Sequence, residues 1–318
     1  MISATGSRIG WSELPDGVRA AVAEILGAPV VTAASQSGGF SPGTADRVTT
    51  SSGRRAFVKA VSLDQNDLSP QLHRREARVA GLLPATAPAP RLLGAHDDGH
   101  WVALVLEDVE GRHPVTPWDP RELGRVLEAL EQLARVATPA PPGLRPAVEM
   151  LAEDFAGWER VRSDPPPDLD PWVAEHLDAL CAAATRGLAA LGGDTLVHFD
   201  LRADNLLLRS DGGVALVDWP WACVGPVWLD RLLLLVNVRL YGGHDTGALL
   251  DDLVARTGAD RGDLVAVLAG MAGFFAHNAR LPALPGLPTL RDFQRAQAEA
   301  VLAWLAEPGP DGDHVGAV

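Results

Sequence analysis

Lysine is almost missing from this sequence, although basic residues are not. Of the 27 basic residues, 26 are Arg and one, Lys59, is Lys. A composition rich in Ala, Gly, Pro and Arg is typical of a GC-rich genome, in which Arg replaces Lys wherever either cation serves. The Arg side chain ends in a broad, planar guanidinium, whereas the Lys side chain ends in a compact ammonium. A site that keeps Lys is therefore a narrow one, such as a phosphate pocket. Lys59 is the first candidate functional residue, with chance survival of one Lys as the alternative.

Cysteine and long apolar runs are also scarce. The two cysteines, Cys181 and Cys223, give no disulfide framework in 318 residues, and both are expected to be reduced. The first twenty residues contain four charged side chains and no apolar segment, which predicts neither a signal peptide nor an anchor. No run reaches the roughly 18 apolar residues that span a bilayer. We expect a globular protein of the cytoplasm that does not bind membranes.

Positive charge is in deficit as well. The chain carries 41 acidic residues against 27 basic ones, which argues against a nucleic-acid-binding surface. Residues 1–110 have a net charge of −2 and residues 111–318 one of −12. The acidic part is expected to attract cationic small molecules.

What the first hundred residues do contain is a series of short β-type runs. Three runs lie between Val30 and Val61, and a Gly-rich loop, residues 37–43, separates the first two. Within it, Gly38, Gly39 and Ser41 could let backbone N–H groups approach phosphate oxygens. Such loops more often only turn the chain. The position of Lys59 on the third run is what favours a phosphate site.

A helix is predicted from Ser69 to about Leu83, with Glu76 in its middle among three arginines. Glu76 is either a solvated partner of those arginines or a carboxylate that holds Lys59. Two further strands are predicted at 91–94 and 101–106. Apolar patterning stops after Leu106, and the rest of the chain is mostly helical, which predicts a small lobe over 1–108 and a larger one over 109–318.

The strongest chemical signal lies at residues 196–218, which we interpret as a hairpin with polar residues at its ends. Phosphoryl transfer needs a carboxylate near the attacking hydroxyl, oxygen ligands for Mg²⁺ and a cation on the phosphates. Asp200, Asn205, Asp218 and Lys59 supply these types. Asn205 and Asp218 would lie close together, as ligands of one hard cation must.

Three segments match kinase motifs: His198-Phe199-Asp200-Leu201 with Asn205 (H-x-D-L-x-x-x-N), Asp218-Trp219 in place of D-F-G, and Gly225-Pro226-Val227-Trp228-Leu229-Asp230 (G-P-x-x-x-D). In these motifs the chain resembles the aminoglycoside phosphotransferase family of small-molecule kinases. Only eleven residues separate Asp218 from Asp230, which leaves no room for the activation loop of protein kinases. A protein substrate is therefore disfavoured.

The resemblance implies a role for each candidate residue. Asp200 would be the catalytic base, and Asn205 and Asp218 would bind Mg²⁺. Lys59 would contact the α- and β-phosphates of ATP while Glu76 orients it.

The resemblance further implies that Glu107 to Val109 offer backbone groups to adenine, and that His198 and Asp230 hold the catalytic loop in place. Two departures concern the loop. Phe199 stands where such kinases often have Gly or Arg, and Pro220 where protein kinases have Gly. The Gly-rich loop is not G-x-G-x-x-G, so the resemblance indicates its place better than its contacts.

The fold expected from this resemblance is α+β and bilobal, like a protein kinase, with an antiparallel sheet in the first lobe and helices in the second. ATP and Mg²⁺ would lie between the lobes. The expected activity is phosphorylation of a hydroxyl on a small molecule, such as a cationic amino sugar or related antibiotic. The alternatives are a kinase for choline, an amino acid or a sugar, and a nucleotide-binding scaffold without catalysis. Oligomeric state and a preference for ATP over GTP stay open.

Overall fold

Five antiparallel strands form the sheet that carries Lys59. The computed structural model describes residues 8–36 and 42–307. Within these residues the strand order is β1-β2-β3-β5-β4, with the bounds β1 (Val30–Ser35), β2 (Thr44–Thr50), β3 (Arg55–Ser62), β4 (Leu92–Asp97) and β5 (Trp101–Leu106). The predicted phosphate-loop residues Gly38, Gly39 and Ser41 lie outside the described residues, as does the tail from Pro308, which the sequence predicts to be disordered.

One helix covers each face of this sheet. α1 (Asp16–Leu26) buries Val18 and Val22 against one face, which includes Val58 of β3. α2 (Ser69–Ala80) packs on the other face, where Leu104 of β5 lies. Successive strand residues point to opposite faces, and Lys59 is in register with Leu104. The side chain of Lys59 therefore lies on the face that α2 covers.

The remainder of the described chain is mainly helical, which confirms the α+β expectation. Its helices are α3 (Pro120–Val136), α4 (Ala147–Leu151), α5 (Gly157–Ser163), α6 (Pro171–Ala189), α7 (Leu229–Tyr241), α8 (Thr246–Thr257), α9 (Arg261–Ala279) and α10 (Leu290–Leu305). The sequence predicts four helices after residue 226, at 227–241, 245–257, 261–279 and 289–306, and α7 to α10 confirm them. No helix among the described residues has the length and apolarity to span a bilayer. The lobe boundary predicted between residues 108 and 109 falls two residues after β5 and stays a prediction.

One predicted helix is interrupted. The sequence predicts a helix around residues 148–161, and the structure has α4 and α5 there, separated by a 3₁₀ turn, Asp154–Ala156. The break is local to Ala156, whose ψ of 8° departs from the α-helical value. The segment packs on α9: the ring of Phe155 fills the space above Gly270, and the Trp158 indole donates to the Ala269 carbonyl at 2.7 Å.

The predicted hairpin at 196–218 is correct only in part. β7 (Leu206–Leu208) and β8 (Val214–Leu216) form a hairpin, whereas β6 (Thr195–Val197) pairs with β9 (Cys223–Gly225). The loop 198–205 takes the chain away from β6 before β7 begins. As a result, the loops 198–205 and 217–222 both connect the same two small sheets and lie side by side.

The helical core depends on close backbone contact between α6 and α9. A Cβ at Gly187 would lie 2.5 Å from the Ala266 carbonyl oxygen and 2.7 Å from the Val267 nitrogen. We expect Gly187→Ala to lower the free energy of unfolding by about 1–3 kcal/mol, because backbone atoms cannot make room. Gly124→Ala on α3, which meets nothing within 4 Å, is the control and is expected to gain up to about 1 kcal/mol. Urea unfolding measures both, and equal effects would contradict the packing argument.

Candidate active site

Lys59 lies between two carboxylates that come from different parts of the chain. Its Nζ donates to Glu76 Oε2 at 2.6 Å and to Asp218 Oδ1 at 2.6 Å. Glu76 is buried, with a side chain 3% exposed, and it also accepts a hydrogen bond from the backbone of Trp219. Glu76 thus faces Lys59 rather than the arginines beside it on α2. One ammonium ties β3, α2 and the loop after β8 together.

The pKa shifts in this group follow from burial and close charges. Burial lowers the pKa of Lys59, but Asp218 and Glu76 outweigh that effect and the pKa is raised overall. Burial raises the pKa of Glu76. For Asp218 burial also acts upward, yet the Lys59 ammonium is stronger and brings the pKa down to about 2. Asp218 is therefore ionised at neutral pH, as a cation ligand must be.

Asp230 fixes the shape of the catalytic loop. Its two carboxylate oxygens accept the backbone N–H groups of His198 at 2.8 Å and Phe199 at 2.9 Å. Phe199 has φ 74°, in the left-handed region that disfavours residues other than Gly. The two hydrogen bonds hold this unfavourable backbone in place. A Gly at this position would adopt the conformation without strain, so the unusual residue Phe199 relies on Asp230.

His198 is a buried packing residue in this structure. Its Nε2 lies 2.9 Å from the Val217 carbonyl oxygen, and its ring meets the indole of Trp219 edge-on, with centroids 4.5 Å apart. Burial lowers the pKa of His198. A neutral ring that donates to Val217 joins the loop 198–205 to the loop that carries Asp218.

Asn205 connects the predicted base to the predicted metal ligand. Its Nδ2 donates to the carbonyl oxygen of Asp200 at 2.8 Å and to Asp200 Oδ2 at 3.0 Å. Its backbone carbonyl accepts the N–H of Val217 at 2.9 Å, one residue before Asp218. The amide nitrogen is thereby used, which leaves Asn205 Oδ1 available as a ligand.

This donor set suits Mg²⁺. An ionised Asp218 carboxylate and the Asn205 amide oxygen are the hard ligands that Mg²⁺ prefers. No cluster of three or more His, Cys, Asp or Glu suited to a metal occurs among residues 8–36 and 42–307. Mg²⁺ typically takes one or two carboxylates and completes its shell with water and phosphate, so a site with few protein ligands fits this ion.

Arg202 is the site residue that sequence reasoning missed. Its Nη1 donates to both oxygens of Asp200, at 3.0 and 2.9 Å, while Nε and Nη2 reach the two oxygens of Asp204 at 2.9 and 3.0 Å. The only signal in the sequence is its place midway between two Asp residues. Asp204, which the sequence alone indicates only as a residue common in turns, is one of its two partners.

Arg202 also affects the pKa values of its two carboxylate partners. Burial raises the pKa of Asp200, and Arg202 opposes that rise without cancelling it. At Asp204 the effect of Arg202 exceeds that of burial and the pKa is lowered. With Asn205 and Arg202 as donors, the Asp200 carboxylate is held in one orientation.

Some backbone groups of residues 107–109, the segment after β5, form hydrogen bonds within the protein. The Glu107 amide donates to the Arg91 carbonyl at 2.8 Å, and the Val109 carbonyl accepts from Arg47 Nη2 at 3.0 Å. The hydrogen bonds of the described residues involve neither the Glu107 carbonyl nor the Val109 amide. One acceptor and one donor are thus available at the place where the sequence predicts adenine contacts.

A comparison with protein families shows where the chain belongs. The model of the phosphotransferase enzyme family, APH, matches residues 36–274. This chain belongs to the phosphotransferase enzyme family. Membership makes it an ATP-dependent small-molecule kinase, and it confirms the predicted family and the kinase-like fold. A search of curated proteins found no significant match.

Solved structures show the same fold at low sequence identity. Aminoglycoside phosphotransferase from Alicyclobacillus acidocaldarius is 19% identical, over 87% of this chain and 91% of that one, with a TM-score of 0.52. A ternary complex of aminoglycoside phosphotransferase APH(4)-Ia with ADP and hygromycin B is 16% identical, over 90% and 96%, with a TM-score of 0.57. Choline kinase LicA from Streptococcus pneumoniae is 14% identical, over 90% and 98%, with a TM-score of 0.59.

The two hydrogen bonds to Asp230 predict the effect of Asp230→Asn. The side-chain NH₂ group of Asn would face one of the two backbone N–H groups, and two donors cannot form a hydrogen bond. We therefore expect a loss of about 1–3 kcal/mol in unfolding free energy together with lower activity. The exposed Asp168 in the same part of the chain gives the control Asp168→Asn. Thermal unfolding with equal midpoints for the two variants would refute this role of Asp230.

The bidentate contact predicts that Arg202→Met lowers kcat about tenfold or more, because Asp200 loses its fixed orientation. Arg202→Lys should restore only part of the rate, since a point charge cannot hold two carboxylates in a plane. Arg209→Met, which removes an exposed Arg from the β7–β8 turn, is the control. Steady-state kinetics measure the rates, and an Arg202→Met enzyme with normal kcat contradicts the prediction.

Proposed function

We propose that this kinase transfers the γ-phosphoryl group of Mg-ATP to a hydroxyl of a small molecule, with Asp200 as the base. The observation that carries the proposal is the continuous set of contacts from Glu76 through Lys59 to Asp218, beside the hydrogen-bonded pair Asp200–Asn205. It contains a cation for the phosphates, oxygen ligands for a metal and a carboxylate for the hydroxyl. No other arrangement of groups is required for this chemistry.

Each residue then has a defined task. Asp200, oriented by Asn205 and Arg202, accepts the hydrogen bond of the acceptor hydroxyl and takes its proton. The new O–P bond forms as the bond between the γ-phosphorus and the bridging oxygen breaks, and ADP leaves. Lys59 contacts the phosphate chain, and Glu76 keeps its ammonium in place. Asp218 and Asn205 would hold Mg²⁺, which would neutralise negative charge on the phosphates. The backbone of Glu107 and Val109 would meet adenine.

For the acceptor we propose a cationic amino sugar of the aminoglycoside class, which would make the chain an antibiotic-modifying enzyme. The support is the net charge of −12 over residues 111–318. Many of those carboxylates form surface ion pairs with Arg, for example Asp260 and Asp263 with Arg186. The charge therefore supports attraction of a cation at long range rather than a specific set of contacts.

A second candidate is a metabolite kinase, for choline, an amino acid or a sugar. The similarity in fold to a choline kinase, with a TM-score of 0.59, supports this second candidate. The scaffold reading is disfavoured, because a protein that only binds a nucleotide has no need for a base held by both Asn205 and Arg202.

The decisive experiment measures ATP consumption with Mg²⁺ in the presence of hygromycin B, other aminoglycosides, choline or a neutral hexose. Asp200→Asn is expected to lower kcat at least about 10²-fold for the accepted substrate, while Asp168→Asn keeps it. ATP binding without turnover on any acceptor would favour the scaffold, and equal turnover by wild type and Asp200→Asn would refute the role of Asp200. Added salt distinguishes the acceptors, because KM should rise for a cationic one and stay constant for the hexose.

A further inference from the structure

The four hydrogen bonds from Arg202 to Asp200 and Asp204 stay within one loop. Their acceptors lie two residues before and two residues after Arg202 in the chain. These bonds fix the three side chains relative to one another and lie in the plane of the guanidinium. None of them reaches another helix or strand, so they do not fix the group relative to the rest of the molecule.

A contact from outside the loop reaches the same guanidinium. The Cζ atom of Arg202 lies over the ring of Phe293 on α10, 5.6 Å from its centroid. This distance is within the range in which a cation is attracted to an aromatic ring. Phe293 is 5% exposed and the Arg202 side chain 14%. Because water is largely excluded, the attraction is stronger than at an exposed site.

The helix that carries this ring is anchored in the core. Val301 and Trp304 of α10 belong to the large apolar cluster of the helical part of the chain, together with residues of α7 and α9. At the start of α10, the Phe293 amide donates to the Thr289 carbonyl at 3.0 Å. The Phe293 ring is thus a support whose position does not depend on the loop 198–205.

The loop 198–205 is held by two helices of that cluster. α7 carries Asp230, whose carboxylate accepts the backbone N–H groups of residues 198 and 199. α10 reaches the loop three residues further on, through the side chain of Arg202. Asp200, the proposed base, lies between these two points of attachment. The backbone before it and the guanidinium beside it are therefore fixed to one core.

We infer that Phe293 is a positioning residue for phosphoryl transfer, which holds the Arg202 guanidinium against α10 and thereby fixes the orientation of Asp200. This inference rests on the proposed function. It gives a role in the site to an apolar residue outside residues 36–274, the part of the chain that the family model matches.

The contact is tested first without turnover, by NMR of protein that contains isotope-labelled arginine. Loss of one Nε–H signal in Arg202→Met identifies the signal of Arg202. Phe293→Leu should shift this signal, because the ring current of Phe293 is removed, and should speed exchange of its hydrogen with water about threefold or more. Phe275→Leu removes an equally buried ring from α9, 6% exposed, and should leave the signal unchanged. An Arg202 signal that is the same in Phe293→Leu and wild type overturns the inference.

Steady-state kinetics test the effect on the reaction, with Mg-ATP and an acceptor from the panel above that gives turnover. Phe293→Leu should lower kcat about threefold to tenfold and leave KM for ATP within about twofold, because Lys59 and Asp218 keep their contacts. Phe293→Tyr keeps the ring and should restore kcat to within about twofold of wild type. Phe275→Leu is the control and should keep wild-type kcat at a temperature at which every variant is folded. If Phe293→Leu does not fold, Phe293→Met takes its place.

A double variant separates positioning from general packing. If Phe293 acts through Arg202, adding Phe293→Leu to Arg202→Met should change kcat by less than about twofold. Losses that multiply overturn the inference, as do normal kcat in a folded Phe293→Leu, a Phe293→Tyr enzyme as slow as Phe293→Leu, and equal losses in Phe293→Leu and Phe275→Leu. A wild-type protein without turnover on any acceptor contradicts the proposed function itself, and the NMR signal then decides the contact between Phe293 and Arg202 on its own.

Discussion

The site depends on one ammonium group between two carboxylates. Lys59 is on the sheet, Glu76 on α2 and Asp218 on a loop more than a hundred residues later. Removal of Lys59 would leave two carboxylates without the cation that they share, in a largely buried setting. α2 has further contacts across the molecule: the Arg75 guanidinium lies 5.1 Å from the centroid of the Trp221 ring, and Arg78 donates to the Gly143 carbonyl at 2.8 Å. α2 is therefore joined both to the sheet, through Glu76 and Lys59, and to the loop that follows Asp218, through Arg75.

The same arrangement occurs a second time around Arg202. That guanidinium holds Asp200 and Asp204 as Lys59 holds Glu76 and Asp218. The choice of cation follows geometry. Arg202 joins two carboxylates that project from one loop, and its planar guanidinium has N–H groups for both. Lys59 joins carboxylates from separate elements through one compact ammonium. In a chain that otherwise uses Arg, this difference explains the retention of one Lys.

The sequence predicts most helices well, because periodic apolar residues and caps such as Asp119 and Asp170 are local signals. The sequence also selects Lys59, Asp200 and Asp218 as candidate site residues, since their residue types and spacing are rare. The pairing of β6 with β9 does not, because a strand of three residues has no pattern that selects its partner. Arg202 could not be distinguished from the other arginines, as its role arises only when the loop 198–205 folds back.

Because Lys59 is the only lysine, the chain has a single ε-amino group, and that group is engaged on both sides with a side chain only 13% exposed. Surface chemistry that begins at lysine, including acetylation, ubiquitin attachment and amine coupling to a support, therefore has no side-chain target on this protein away from the active site. A reagent that does acylate the lysine reports directly on whether the contact between the sheet, α2 and Asp218 is open or closed.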